Sequence, residues 1–186
     1  MLVPDLPLRT DRLDLRLFTA DDFAALRLPV PRRRHPLPLL RGERRGRQPG
    51  GAGPQARPGA LRAEGDVLNL ALVLRETGAV IGDVLLIWTS VAHRQGEIGY
   101  VLHPDHAGHG YATEAAREML RLGFDELGLH RIVGRLDARN TASARVLERL
   151  GMRREAHLRE NELVKGEWTD EAVYALLARE WRAGTR

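Results

Sequence analysis

One segment constrains the fold more than any other: His103-Pro-Asp-His-Ala-Gly-His-Gly-Tyr-Ala-Thr-Glu114, lying between the apolar run Ile98-Gly-Tyr-Val-Leu102 and a helical pattern from Tyr111 to about Leu127. A strand, a Gly-containing turn and a helix start make a device for holding phosphate. The first N–H groups of a helix lack internal partners, and the helix dipole is positive at that end. Gly108 and Gly110 carry no Cβ, so a diphosphate can approach the main chain. A Walker loop needs a Gly-Lys-Ser/Thr end, and none is present. A dinucleotide fingerprint needs three spaced glycines and a later acidic ribose ligand; here there are Gly108 and Gly110, with Ala112 in line. On this segment alone, a plain Gly-rich strand–helix turn with no ligand remains open.

A second block stands about 30 residues further on: Asp137-Ala-Arg-Asn140-Thr-Ala-Ser143-Ala-Arg-Val-Leu-Glu-Arg-Leu150-Gly151-Met152. Asn140 is a good N-cap. Val146, Leu147 and Leu150 form one apolar helix face, and Gly151 suits a left-handed C-terminal cap. Taken singly, Asn140 reads as a cap and Ser143 as a small first-turn residue.

The two blocks together resemble the GCN5-related N-acetyltransferases (GNAT superfamily). The first matches that family's Gln/Arg-x-x-Gly-x-Gly/Ala motif as Ala107-Gly-His-Gly110-Tyr-Ala112, with Ala107 replacing the polar first residue. The second matches its Asn-x-x-Ser-x-x-x-Leu-x-x-Leu-Gly-Phe/Met element. The resemblance covers roughly 65–180 plus Leu8–Leu26, and is greatest to the RimJ/RimL-type branch. It implies a single GNAT domain over 1–186, of α/β (α+β) class: a central mixed, mostly antiparallel, twisted sheet with helices on both faces. It also implies acetyl-CoA as donor and a primary amine as acceptor. Main-chain groups of Tyr100, Val101 and Leu102 would meet the pantetheine arm. Amides from Gly108 through His109, Gly110, Tyr111 and Ala112 to Thr113 would hold the pyrophosphate. Asn140 would hydrogen-bond the pantetheine.

The net charge of +4 invites a nucleic-acid reading, but its source argues against one. Residues 28–60 hold eight arginines, seven prolines and six glycines against one acid, Glu43, leaving 21 basic and 24 acidic residues elsewhere. A nucleic-acid surface interleaves its arginines with structure-forming apolar residues; this stretch does not, and its composition cannot bury enough apolar surface to order itself. It occupies the place where the resembling family has two helices that wall the acceptor site. Two origins stand: an out-of-frame reading of a GC-rich gene from near Arg27 to near Leu61, or a natural Arg/Pro/Gly-rich insertion. Resequencing the coding DNA separates them. There is no cysteine, hence no disulfide frame. No apolar run approaches the ~18 residues of a membrane span, so the expectation is a cytoplasmic protein without membrane or nucleic-acid partners.

The element pattern runs βα(α)βββαβαββ. Arg12–Phe18 alternates as a strand, and Thr19 with Asp22 resembles a capping box opening a helix to about Leu26. Strands are expected at Val67–Arg75, Val80–Trp88, Glu97–Leu102 and Arg131–Leu136. Ala156–Val164 and Glu171–Leu177 form a closing hairpin around Lys165-Gly-Glu-Trp168.

For the chemistry, a thioester is already activated, so positioning can supply much of the rate. The attacking amine must be neutral; an α-amine has a pKa of about 8 and a lysine amine one near 10. Glu97, at the start of the strand beside the donor, is the candidate base, with Glu160 and Glu162 as alternatives on the hairpin. The leaving thiolate, of pKa about 8.5, needs a proton or a hydrogen bond, and Ser143 is the candidate donor or relay. His103, His106 and His109 lie on a turn at i, i+3, i+6 and are not expected to bind metal. Trp88, Trp168 and Tyr174 could line an acceptor pocket, but core packing is the expectation for each. The acceptor is a protein N-terminus or a small-molecule amine, and the protein a monomer or homodimer. A reading from another class is an acyl-CoA-binding protein with little turnover, its acceptor wall altered by 28–60.

Overall fold

The computed structural model describes residues 1–22 and 59–184. Among these, eight strands form one sheet: β1 (Leu8–Arg9), β2 (Leu13–Arg16), β3 (Val67–Leu74), β4 (Val80–Ser90), β5 (Gln95–Leu102), β6 (Arg131–Asp137), β7 (Arg153–Val164) and β8 (Glu167–Leu177). Their order is β1-β2-β3-β4-β5-β6-β8-β7. The β5–β6 pair is parallel and the other neighbours are antiparallel. The helices are α1 (Tyr111–Arg121), α2 (Thr141–Arg149) and α3 (Ala178–Gly184). Seven strands and two helices fall where the sequence pattern puts them. β1 is two residues long, too short for alternation to reveal, and α3 is a seven-residue tail.

One face of the sheet is a continuous apolar layer. Leu13, Leu15, Leu68, Leu70, Leu72, Val84, Leu86, Ile98 and Ile132 are at most 2% exposed. The helices pack here. A Cβ on Gly134 would meet the Leu147 side chain of α2 at 2.8 Å, and a Cβ on Gly123 would meet Ile132 at 2.6 Å. Trp181 of α3 stacks on Phe124 and donates to the Asp125 carboxylate. The opposite face carries the half-buried Leu85, Ile87, Glu97, Val101 and Arg135. Helices over that face would come from the stretch after Asp22, outside the described residues. The Arg/Pro/Gly-rich stretch also lies outside them except for Gly59 and Ala60. Leu61 is fully buried and bridged to Leu2 through two backbone hydrogen bonds of 2.8 and 2.9 Å.

Two helix ends differ instructively. α1 does not run on as a plain α-helix to Leu127: Leu122–Glu126 form a π turn, and Leu127 N–H donates to Leu122 O at 2.9 Å. Gly128, with φ +72°, then ends the segment, as expected of a glycine at that place. α2 ends in a complete Schellman motif. Gly151 has φ +83°, its N–H donates to Glu148 O (2.9 Å), and Met152 N–H donates to Leu147 O (3.0 Å).

The β7–β8 hairpin turns on Lys165 (φ +50°) and Gly166 (φ +86°), the left-handed pair that a two-residue hairpin turn favours. Trp168 contradicts the expectation of core packing: it is 59% exposed, because it sits at the hairpin tip opposite Leu163, beyond the helices. Tyr174 is buried at 5% exposure, and Trp88 packs half-buried against the core.

Asp22 accepts Thr19 N–H at 2.7 Å, the near half of the expected capping box; the helix to Leu26 lies outside the described residues. Asp22 is buried and takes a two-pronged contact from Arg16, at 2.6 and 2.8 Å. The guanidinium hydrogen bonds hold its carboxyl well below the ordinary carboxylate range, against the opposing effect of burial. A depressed carboxyl binds fewer protons folded than unfolded, so its contribution is complete above about pH 4 and is lost as pH falls below that. Asp22→Asn should flatten the dependence of unfolding free energy on pH between about pH 4 and 2, read by denaturant titration. An unchanged slope would remove the pair from the acid response.

Candidate active site

The strands part at the centre of the sheet. β5 and β6 pair only over Gln95–Ile98 with Arg131–Gly134. Beyond that β5 stays with β4 out to Gly82↔Leu102, while β6 stays with β8 out to Asp137↔Glu171. The result is a wedge between Gly99–Leu102 and 135–137. Gly82 permits this: a Cβ there would lie 2.0 Å from Val101 O. β5 therefore lies tight against β4 at the residues where it leaves β6. In the wedge, the β6-side edge of Tyr100, Val101 and Leu102 has no strand partner among the described residues.

Above the wedge stands the phosphate-type loop. His103 N–H donates to Ile81 O at 2.7 Å and a 3₁₀ turn covers Pro104–His106. Gly108 (φ +84°) and Gly110 (φ +85°) then swing the chain into α1, and Gly110 is its N-cap residue. The amides of Gly108, His109, Gly110, Tyr111, Ala112 and Thr113 donate to no group among the described residues. Buried at the same end, the Thr113 hydroxyl also has no partner there. Six N–H donors and one orphaned hydroxyl at a positive helix end fit a diphosphate. His109 stacks on Tyr111 (5.7 Å between centroids). His103 and His106 meet edge to face at 6.1 Å. Among the described residues no group of three His, Cys, Asp or Glu side chains could hold a metal ion.

Across the wedge, Asn140 caps α2: its Oδ1 accepts Ser143 N–H at 3.0 Å. That engages the amide oxygen and leaves the NH₂ to donate elsewhere. The Ser143 hydroxyl makes no hydrogen bond among the described residues. Instead Ser143 O accepts from the Tyr100 hydroxyl at 2.9 Å. The sequence reading used only the main chain of Tyr100. Its side chain, 8% exposed, ties β5 to α2 on the helix side of the wedge. Burial pushes this phenol well above its ordinary range, outweighing the hydrogen bond to Ser143.

Glu97 and Arg135 lie together on the sheet face opposite the described helices, Nε to Oε2 at 3.5 Å. Arg135 also donates to Glu171 at 3.0 Å, and Glu171 accepts from Asn161 at 2.9 Å. Glu171 is 4% exposed. The carboxylate–guanidinium–carboxylate chain borders the point where the strands part. Glu160 stands away from it, at φ +47° beside the register shift between Leu158 and Glu162 on the edge strand β7.

Sequence reasoning missed Arg135, Glu171, Gly82 and the Thr10–Arg12 turn described below; none of them belongs to a local motif. The Asp137 carboxylate was passed over as well. It accepts Arg139 N–H at 2.8 Å and the Arg139 guanidinium at 2.7 Å, and these bonds, the guanidinium's first, hold it below its ordinary range. Asn140 N–H donates to Asp137 O (2.8 Å), so the cap and the strand end are built as one turn.

A sheet that opens beside a helix N-terminus whose amides have no partner among the described residues is in keeping with the resemblance to the acetyltransferase class, and comparison with known proteins agrees. Residues 12–153 match the acetyltransferase (GNAT) domain family, and the chain belongs to it. Uncharacterized N-acetyltransferase YnaD of Bacillus subtilis (strain 168) is 38% identical over 110 residues, 59% of this chain and 64% of that protein. Spermidine N(1)-acetyltransferase of Vibrio cholerae is 31% identical over 91 residues, 49% of this chain and 53% of that protein. The chain thus spans less than two thirds of the length of these two curated relatives. A crystal structure of a GNAT-family acetyltransferase from Bacillus anthracis superposes with a TM-score of 0.57 at 38% identity, covering 60% of this chain and 67% of that one.

Proposed function

We propose that this protein transfers an acetyl group from acetyl-CoA directly to a primary amine, and that 1–186 act as one catalytic unit of the RimJ/RimL-type branch. The observation that carries this reading is the strand wedge set directly against six undirected amides at the start of α1. GNAT acetyltransferases use acetyl-CoA, and this arrangement fits it. The amides from Gly108 to Thr113 take the diphosphate. The free edge of Tyr100, Val101 and Leu102 takes the amide groups of the pantetheine arm, and the Asn140 NH₂ donates to it from the far side. The thioester then lies at the apex of the wedge. There the amine approaches from the sheet face that carries Glu97 and Arg135. Glu97 accepts the ammonium proton, directly or through water, and Arg135 orients its carboxylate. The amine nitrogen attacks the thioester carbon, the C–S bond breaks, and the proton that the nitrogen sheds on becoming an amide passes to the departing sulfur, with Ser143 as hydrogen-bond donor or relay. Relatives named as spermidine acetyltransferases make an aliphatic polyamine the first acceptor to screen, ahead of protein N-termini.

Calorimetric titration with acetyl-CoA followed by a thiol-release assay across amines tests this reading. Micromolar binding with amine-dependent thiol release is expected. Binding without release for any amine would favour an acyl-CoA-binding protein, and no binding would overturn the donor site. Glu97→Gln should lower kcat about 10²-fold or more, the usual range for a general base. It should leave acetyl-CoA affinity unchanged, and an unaltered kcat would exclude Glu97 as the base.

A further inference from the structure

The turn between β1 and β2 belongs to neither donor motif, yet it grips the diphosphate loop. Thr10 Oγ1 donates to Glu114 Oε1 at 2.5 Å, and Arg12 N–H donates to the same oxygen at 2.9 Å. The Arg12 guanidinium meets Glu114 Oε2 through Nε (2.8 Å) and Nη2 (2.6 Å), while its Nη1 donates to His109 O at 2.9 Å. Its Cζ sits 4.6 Å over the Tyr111 ring, and Nη2 lies 3.5 Å from where a Gly110 Cβ would be. One arginine thus fastens the first turn of α1 to the loop before it, from about 100 residues away in sequence.

Two physical consequences follow. A loop with two left-handed glycines has much conformational freedom to lose on ordering, and pinning His109 O removes it before the ligand arrives. Glu114 is also a carboxylate in the first turn of the helix that offers its N-terminus to an anion. Left alone it would repel a diphosphate; Arg12 cancels that charge and keeps the field of the cradle positive. Burial would raise the Glu114 carboxyl, but the bonds from Thr10 and Arg12 outweigh it and hold the group below its ordinary range.

We propose that Arg12 is a positioning residue for the diphosphate half of the donor, setting affinity for acetyl-CoA but not for its acetyl-pantetheine half. This rests on the donor reading above. The test is calorimetric titration with acetyl-CoA, and competition against it with S-acetyl-pantetheine, for the parent, Arg12→Gln and Arg12→Lys. Arg12→Gln should weaken acetyl-CoA about 10- to 100-fold and change S-acetyl-pantetheine less than about threefold. Arg12→Lys keeps the charge opposite Glu114 but cannot span to His109 O as well, so it should recover only part of the loss. Should Arg12→Gln fail to unfold cooperatively, Arg12→Lys carries the test by the same selectivity between the two donors. Equal weakening of both donors, or none, would overturn the role. A parent that binds neither donor would overturn the donor reading itself, and this inference with it. A parent that binds acetyl-CoA while both variants match it would overturn only the inference.

Discussion

Gly110→Asp should lose acetyl-CoA binding by at least about 100-fold, some 2.7 kcal/mol, with little loss of fold. Gly110 sits at φ +85° at the N-cap of α1, a conformation that Asp tolerates better than most residues. The direct steric demand is slight, since the nearest atom to a new Cβ is Arg12 Nη2 at 3.5 Å. That proximity gives the substitution its force. The introduced carboxylate pairs with Arg12 and occupies the amide cradle as an internal anion, where a bound diphosphate would have to displace it. A strain of about 1 kcal/mol should lower the melting temperature by only about 2–4 °C for a chain of this size. Gly110→Asn is the control, with nearly the same shape and no charge. Calorimetry should find its loss several-fold smaller; equal losses would mean that backbone strain, not electrostatics, governs the cradle.

The largest effect on stability should come from Gly82→Ala. Its Cβ would fall 2.0 Å from Val101 O and 3.0 Å from the Leu102 Cα, both main-chain atoms in the neighbouring strand. No rotamer change relieves such a contact; β5 must move off β4 or the ladder must break. A cost of about 3 kcal/mol or more is expected, lowering the melting temperature by about 6–12 °C. Gly134→Ala gives the comparison. Its Cβ would be less crowded, at 2.8 and 2.9 Å, and against the movable tip of the Leu147 side chain rather than main chain, so it should cost less than half as much. Because Gly82 holds β5 to β4 where β5 leaves β6, the Gly82 variant should also weaken donor binding, and Gly134→Ala should not. Similar melting temperatures for the two variants would refute the account of how the wedge is held open.

Much of the donor side was legible from sequence because its parts are local. A helix N-terminus needs only a turn and a following amphipathic run, so Gly108, Gly110 and the helix from Tyr111 announce it together. Asn140 and Gly151 cap α2 at both ends through bonds to residues at most four positions away, and both geometries appear as expected. The boundary of α1 was less legible. A π turn and an α-helix share nearly the same apolar spacing over a single turn, so the change at Leu122 leaves no mark in the pattern.

What the sequence by itself determined is therefore most of the elements, the family and the stretch that offers amides to an anion, because backbone propensity, capping and hydrophobic period act over a few residues. Only the tertiary structure decided that Arg12 closes on Glu114 and His109, that Arg135 stands between Glu97 and Glu171, and that Gly82 lets the sheet open. Each of these joins residues on different elements. Side chains and strands so far apart in the chain meet only through the register and twist of the whole sheet, which no local pattern encodes.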